Sequence, residues 1–160
     1  MRPDPAIQTM PIRQPDPSEY PAITDVWEAA VRATHDFLDP ADIDALRPLV
    51  LNQYLPLVDV RVAIVGDGDG DGDGDIQGFV GVSDGKIEML FVAPAWHGRG
   101  IGKALLHHAV SEMGATLVDV NEQNRAATAF YAHMGFEVFG RSPLDGQGKP
   151  FPLLHMRRRA

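Results

Sequence analysis

A strand, a glycine-rich turn and the start of a helix follow one another within Val92-Ala-Pro-Ala-Trp-His-Gly-Arg-Gly-Ile-Gly-Lys103. Glycines let the backbone approach a ligand closely, and the unpaired N–H groups at a helix start, reinforced by the helix dipole, favour phosphate. The stretch therefore predicts a site for a phosphate-bearing cofactor. Because the same residues would also suit a simple tight turn, this stretch alone does not identify the cofactor.

Two common phosphate-binding motifs do not fit this stretch. A P-loop needs a glycine five residues before Gly102 and a Ser or Thr after Lys103, where the chain has His97 and Ala104. A dinucleotide fingerprint needs a third glycine, and Lys103 or Leu105 stands in its place. A nucleotide-binding protein stays open as an alternative that neither motif supports.

The sequence on both sides predicts alternating strands and helices. Asp-Pro start signals predict helices over 17–34 and 40–54, with Pro48 breaking or kinking the second. Apolar patterning predicts two more helices, over 100–113 and 125–134, and strands over 58–65, 77–82, 86–92, 116–120, 137–140 and 153–156. With a short strand before the first helix, this order predicts a single α/β domain. Its mixed central sheet would have about six to seven strands, with helices on both faces.

The Asp/Gly tract 66–75 holds five of the 22 acidic residues. It imitates the start of a calcium loop, but Val80 stands where the bidentate glutamate should follow. We expect a solvated, mobile hairpin loop rather than a calcium site. Residues 1–10 are rich in proline and are expected to form a disordered segment, which leaves residues 11–160 as the domain.

Composition excludes several classes of protein. The chain has 160 residues, of which 44% are apolar, and this suits one domain with a proper core. The absence of cysteine excludes disulfides, thiolate metal sites and a cysteine nucleophile. The formal charge of −8 argues against nucleic acid and acidic membranes as partners. We expect a cytoplasmic protein with no metal and no membrane-spanning segment.

Two motifs together resemble the signatures of the GNAT superfamily of acyltransferases. The run His97-Gly-Arg-Gly100-Ile-Gly102 resembles the loop that binds the pyrophosphate of coenzyme A, with His97 where Arg or Gln is usual. Asn121-Glu-Gln-Asn124, followed after six residues by Tyr131-Ala-His-Met-Gly135-Phe136, resembles the second motif. The resemblance spans roughly 77–140, and segments 34–38 and 148–152 are similar to those of a small bacterial subgroup of these acetyltransferases.

The resemblance implies an N-acetyltransferase that moves an acetyl group from acetyl-CoA to a primary amine of a small molecule or peptide by direct attack. The pantetheine arm would pair with backbone groups of Leu90, Phe91 and Val92, and Asn124 would hydrogen-bond it. The pyrophosphate would lie against a loop of seven residues, namely His97, Gly98, Arg99, Gly100, Ile101, Gly102 and Lys103. Because His97 replaces Arg or Gln, we expect weaker or pH-sensitive cofactor binding.

The resemblance also assigns the proton transfers. Tyr131 would protonate the departing thiolate, unless it is only a core aromatic. The base that deprotonates the acceptor amine is either Glu88, on the cofactor strand, or His35, after the first helix. His35, Asp36 and Phe37 are also candidates to bind the substrate, whereas Asp119 is expected to be structural or solvated.

Two questions stay open at this level. A non-catalytic acyl-CoA sensor would keep the phosphate loop without turnover, and the replacement at His97 is compatible with it. The final hairpin is a candidate to pair two subunits in a homodimer.

Overall fold

The computed structural model describes residues 10–34, 39–65, 75–145 and 148–159. Outside these residues lie most of the Asp/Gly tract, the three acceptor-site candidates His35, Asp36 and Phe37, and residues 1–9 of the segment 1–10 that is predicted to be disordered. Met10, the last residue of that segment, is described and packs against buried core residues. Within the described residues, the order of strands and helices is the predicted one.

The strands and helices have these bounds. The strands are β1 (Ile12–Arg13), β2 (Asp59–Val65), β3 (Asp75–Ser83), β4 (Lys86–Val92), β5 (Leu117–Asn121), β6 (Phe136–Ser142) and β7 (Leu153–Arg158). The α-helices are α1 (Tyr20–Thr34), α2 (Pro40–Leu49), α3 (Leu55–Leu57), α4 (Ile101–Met113) and α5 (Arg125–His133). Single 3-10 turns cover Pro17–Glu19 and Pro94–Trp96, and a π-helical segment, Val50–Tyr54, joins α2 to α3.

The strands of the described residues form one mixed sheet in the order β1-β2-β3-β4-β5-β7-β6. Every neighbouring pair is antiparallel except β4 and β5, which are parallel. A parallel pair needs a crossover connection, which α4 supplies. The predicted α/β class, with a sheet of six to seven strands, is confirmed.

Helices cover both faces of the sheet, as predicted. α1 and α2 cover a core that contains Ile23, Trp27 and Phe79. α4 and α5 cover a second core on the opposite face, which contains Leu105 and Phe136. Among the described helices, none combines the length and the apolar character needed to cross a membrane.

The second predicted helix changes its geometry just after Pro48. α2 ends at Leu49, and the next five residues form a π-helical turn. Proline has no N–H to continue the hydrogen-bond ladder, and its ring displaces the carbonyl one turn earlier. The predicted irregularity is therefore present, as a widened turn rather than a sharp break.

One predicted boundary is wrong at the Asp/Gly tract. Asp75 was assigned to the loop, but it already belongs to β3 and pairs with Val65 of β2. β2 ends at the predicted residue 65, whereas β3 starts two residues earlier than its apolar residues indicated.

Candidate functional site

A groove opens where β4 and β5 separate. The two strands pair only at Lys86 with Leu117 and at Ile87 with Val118, and they diverge beyond these pairs. The groove has a volume of about 110 Å³, and its walls come from β4, β5 and α5. Its lining residues are Ile87, Glu88, Met89, Leu90, Phe91, Val118, Asp119, Val120, Asn121, Asn124, Ala127 and Tyr131.

A β-bulge in β4 coincides with this separation. Ile87 pairs with Val82 and Met89 with Gly81, so Glu88 is an extra residue without a partner in the β3–β4 ladder. A bulge bends its strand and increases the local twist. Because Ile87 also makes the last pair with β5, the bend starts where the groove starts, and it leaves the exposed Glu88 side chain at the closed end of the groove.

The glycine-rich turn after β4 presents a helix start to solvent. Gly98 and Gly100 have φ values of +76° and +93°, which side chains rarely adopt, and Gly100 precedes the first residue of α4. The first intrahelical bond runs from the Ala104 N–H to the Gly100 carbonyl, at 3.0 Å. The amides of Ile101, Gly102 and Lys103 therefore find no acceptor within the helix, and the residues fit a phosphate group.

The side chains of His97 and Arg99 in this turn make contacts within the protein. His97 Nε2 donates a hydrogen bond to the Val92 carbonyl, at 2.8 Å, and so ties the turn to the end of β4. The Arg99 guanidinium lies over the Trp96 ring, 4.7 Å from its centroid. The unusual histidine therefore has a structural contact that its position in the motif did not indicate.

Asn124 and Tyr131 both line the groove, as the second motif implied. Asn124 is the N-cap of α5, and its Oδ1 accepts the Ala127 amide at 3.1 Å. This capping bond, which the sequence analysis missed, fixes the side chain beside the groove. The pattern of a capping residue before a helix could have revealed it.

Tyr131 is both a core aromatic and a groove residue. Only 7% of it is exposed, and its ring packs edge-on against Phe130 and Phe136. Burial raises the pKa of the Tyr131 hydroxyl above its ordinary value, so the group stays protonated at neutral pH. The two interpretations that the sequence left open for this residue are therefore compatible.

Of the two alternatives that the sequence left for Asp119, structural or solvated, its contacts fit the structural one, and it also lines the groove. Its carboxylate contacts the Lys86 ammonium, and its Oδ1 accepts a hydrogen bond from His155 Nδ1 at 2.6 Å. His155 Nε2 lies 2.6 Å from Ser142 Oγ. Burial opposes ionisation of Asp119, but the bonds from His155 and Lys86 outweigh it and lower the pKa of this carboxyl.

The other candidates are placed as follows. Leu90 and Phe91 line the groove, whereas Val92 lies beyond its lining, with its carbonyl bound by His97. Glu88 lies at the bulge, and the segment that contains His35 falls outside the described residues. Among the described residues, no three His, Asp or Glu side chains are grouped to hold a metal ion.

Comparison with known proteins agrees with this geometry. The family model described as "Acetyltransferase (GNAT) domain" matches residues 60–138. Over 145 residues, the chain is 39% identical to peptidyl-lysine N-acetyltransferase YjaB of Salmonella typhimurium, which covers 91% of this chain and 95% of that protein. The solution structure of apo YjaB from Escherichia coli superposes with a TM-score of 0.80 at 36% identity, covering 93% of this chain and 97% of the other.

A solved structure of lower sequence identity has the same fold over nearly the whole chain. The PaiA N-acetyltransferase from Thermoplasma acidophilum, in complex with coenzyme A, has a TM-score of 0.71 at 17% identity over 94% of this chain and 99% of that one. The similarity at this identity concerns the fold alone. The extensive identity with YjaB, together with the family model, confirms the resemblance that the two motifs carried: the chain belongs to the GNAT family and is an acyl-CoA-dependent N-acetyltransferase.

Proposed function

We propose that the protein transfers the acetyl group of acetyl-CoA to the side-chain amine of lysine in peptides or proteins, by direct attack of the amine on the thioester. The observation that carries the proposal is the groove between β4 and β5, which has the Tyr131 hydroxyl side chain on one wall and two carboxylates, Glu88 and Asp119, at its closed end. The relatives from Salmonella typhimurium and Escherichia coli that are 39% and 37% identical are both named peptidyl-lysine N-acetyltransferases.

The cofactor side of this function rests on backbone groups. Bound acetyl-CoA supplies the activated acetyl thioester. The amides of Ile101, Gly102 and Lys103 at the start of α4 would hold its pyrophosphate, because they lack acceptors in the helix and lie at its positive end. The backbone of Leu90 and Phe91, beyond the last β4–β5 pair, would hold the pantetheine arm in the manner of an added strand.

Tyr131 is the proposed general acid. Its hydroxyl belongs to a side chain that lines the groove, and burial keeps it protonated. A proton delivered to the departing thiolate would prevent its return to the acetyl group, a contribution of about 10²–10⁴ in rate. Asn124, which the capping bond holds two turns away at the start of α5, would position the arm.

The carboxylates at the closed end suit a cationic acceptor. An ammonium group would be drawn to them, and Glu88 is exposed, so it is available to accept the proton that the amine must lose. His35, Asp36 and Phe37 remain proposed acceptor-side residues, with His35 as the second candidate for the base.

The test is a thiol-release assay with acetyl-CoA and a lysine-containing peptide. The matched control is the same peptide with arginine in place of lysine, which keeps the charge and removes the primary amine. We expect coenzyme A release and an acetyl adduct only with the lysine peptide. Stabilisation by acetyl-CoA without coenzyme A release, for any amine in a panel, would contradict the proposal and favour a sensor.

Location and assembly belong to the same proposal. A cysteine-free sequence suits the reducing cytoplasm, where we propose that the protein works.

A homodimer through the β6–β7 hairpin is also proposed. It is tested by measuring the molar mass in solution before and after Phe139, an exposed apolar residue of that hairpin, is replaced by Ser.

A further inference from the structure

We propose that Asp119 binds the ammonium group of the acceptor, and that the charge on His155 sets how strongly it binds. The inference rests on the proposed function, and it concerns a hydrogen-bonded chain that runs from the groove to the outer hairpin: Asp119 on β5, His155 on β7 and Ser142 on β6.

Asp119 has the position that an acceptor-binding residue needs. It follows Val118, which makes the last β4–β5 pair, and its side chain lines the closed end of the groove. The side chain is 23% exposed, so a ligand can reach it. A carboxylate offers about four lone-pair positions, and His155 and Lys86 occupy one each. Positions therefore remain for an incoming ammonium.

His155 is a positioning residue, because it acts through Asp119. Strand register places Asp119 opposite His155, and His155 opposite Gly140. Ser142 Oγ, 2.6 Å from Nε2, holds the other side of the ring. With Nδ1–H donating to Asp119, the neutral imidazole accepts from the serine hydroxyl at Nε2.

The charge balance at the closed end depends on His155. Lys86 and Glu88 on β4 and Asp119 on β5 together carry one net negative charge, which attracts an ammonium. On β6 and at the end of β7, Glu137 pairs with both Arg159 and Arg157, and the Arg157 guanidinium lies over the Phe139 ring beside His155. These exposed side chains do not line the groove, so the net charge of its closed end is that of Lys86, Glu88 and Asp119. Protonation of His155 would therefore cancel the negative charge and weaken the attraction.

Imidazole is the side chain that most readily takes up a proton near neutral pH. As the pH falls, the positive charge next to Asp119 should raise the KM of a cationic acceptor, whereas the KM of acetyl-CoA, which binds along β4 and α4, should not follow. We expect protonation of His155 to raise the KM of a lysine peptide about three- to tenfold.

The experiment compares the parent with His155→Asn. The Asn amide can donate the bond that Nδ1 makes to Asp119, but it cannot become charged. His107→Gln, an exposed histidine on α4, is the matched control. We expect the acid rise in KM for the lysine peptide in the parent and in His107→Gln, and its loss in His155→Asn. An unchanged rise in His155→Asn overturns the role of His155.

A second variant tests Asp119 directly. Asp119→Asn should raise the KM of the lysine peptide about tenfold at neutral pH, while the KM of an arylamine, which is uncharged at neutral pH, and the KM of acetyl-CoA stay near the parent values. An unchanged KM for the lysine peptide overturns the binding role. Failure of the proposed function is recognised separately, because the parent itself would then release no coenzyme A with the lysine peptide.

Discussion

Tyr131 packs edge-on against Phe136, with the ring centroids 5.7 Å apart, while the same tyrosine lines the groove between β4 and β5. The ring therefore belongs to the core beneath α5, and the proposed chemistry belongs to the hydroxyl. Packing and catalysis can be separated at this residue by removing a single oxygen.

Tyr131→Phe should lower kcat by about 10²–10⁴ and leave the melting temperature and acetyl-CoA affinity almost unchanged. Because burial raises the pKa of the hydroxyl, the parent should keep its proton donor, and its kcat should show no loss from Tyr131 ionisation at mildly alkaline pH. Tyr20→Phe, the same change on α1, is the control. A kcat within about threefold of the parent, with chemistry rate-limiting, would contradict the assignment.

Gly100→Glu should abolish the thermal stabilisation by acetyl-CoA, because a side chain there would block the helix start and its charge would repel pyrophosphate. Gly114→Glu is a matched control: Gly114 also has a positive φ, +69°, and follows the other end of α4, where a Cβ would meet nothing within 4 Å. It brings similar backbone strain and the same charge. Full stabilisation of Gly100→Glu would show that the loop does not bind the cofactor.

Replacing residues 66–74 by Asn-Gly should keep the fold and leave activity within a fewfold of the parent. Val65 and Asp75 pair directly, and a two-residue Asn-Gly turn joins such a pair without splaying the strands. Loop-closure cost varies slowly with length. The measurements are melting temperature and turnover. Loss of folding would contradict the prediction, and stabilisation of the intact protein by calcium would favour the metal-loop alternative.

Glu19→Gln should lower the free energy of unfolding by about 0.5–1 kcal/mol at neutral pH. Both Glu19 oxygens accept hydrogen bonds from Arg13, at 2.8 Å, and Oε1 also accepts the Asp16 amide. The bonds from Arg13, and then that from Asp16, lower the pKa of Glu19 to about 2. The contribution is therefore complete above the ordinary pKa of 4.5 and is lost as the pH falls through about 2.

Denaturant unfolding of the parent and of Glu19→Gln between pH 4.5 and pH 2 measures the difference between their free energies of unfolding. It should shrink as the pH falls from 4.5 to 2, because only the parent loses a charged group. Glu112→Gln, an exposed glutamate on α4, should show no such trend. If the difference in free energy of unfolding between the parent and Glu19→Gln stays constant down to pH 2, the prediction is contradicted.

Most of the fold could be predicted from the sequence, because the signals for a helix or a strand each lie within a few neighbouring residues. The bounds of β4 agree with prediction, and helical structure starts at the predicted residue 17, as a 3-10 turn that leads into α1 at Tyr20. An alternating strand pattern, Asp-Pro starts and terminal glycines each act within a few residues. The loop and the Asn124–Tyr131 pair were found for the same reason: each motif lies on one continuous segment.

The contacts that were missed join distant segments. Asp119 and His155 are 36 residues apart, and only the insertion of β7 next to β5 brings them together. The bulge at Glu88 depends on the register with β3, which the apolar pattern of β4 does not reveal. His97 binds the Val92 carbonyl, and because every residue carries a backbone carbonyl, no sequence pattern identifies this partner.

The position of β7 between β5 and β6 has a consequence for the order of assembly. β6 reaches the sheet only through β7, although β7 follows it in the chain. On a chain that emerges from the ribosome in sequence order, β1 to β4 can pair early, whereas β6 must wait for its later neighbour. Closing this long-range pairing is slow relative to local pairing, so the cofactor loop should be ordered before the contact between Asp119 and His155 can form.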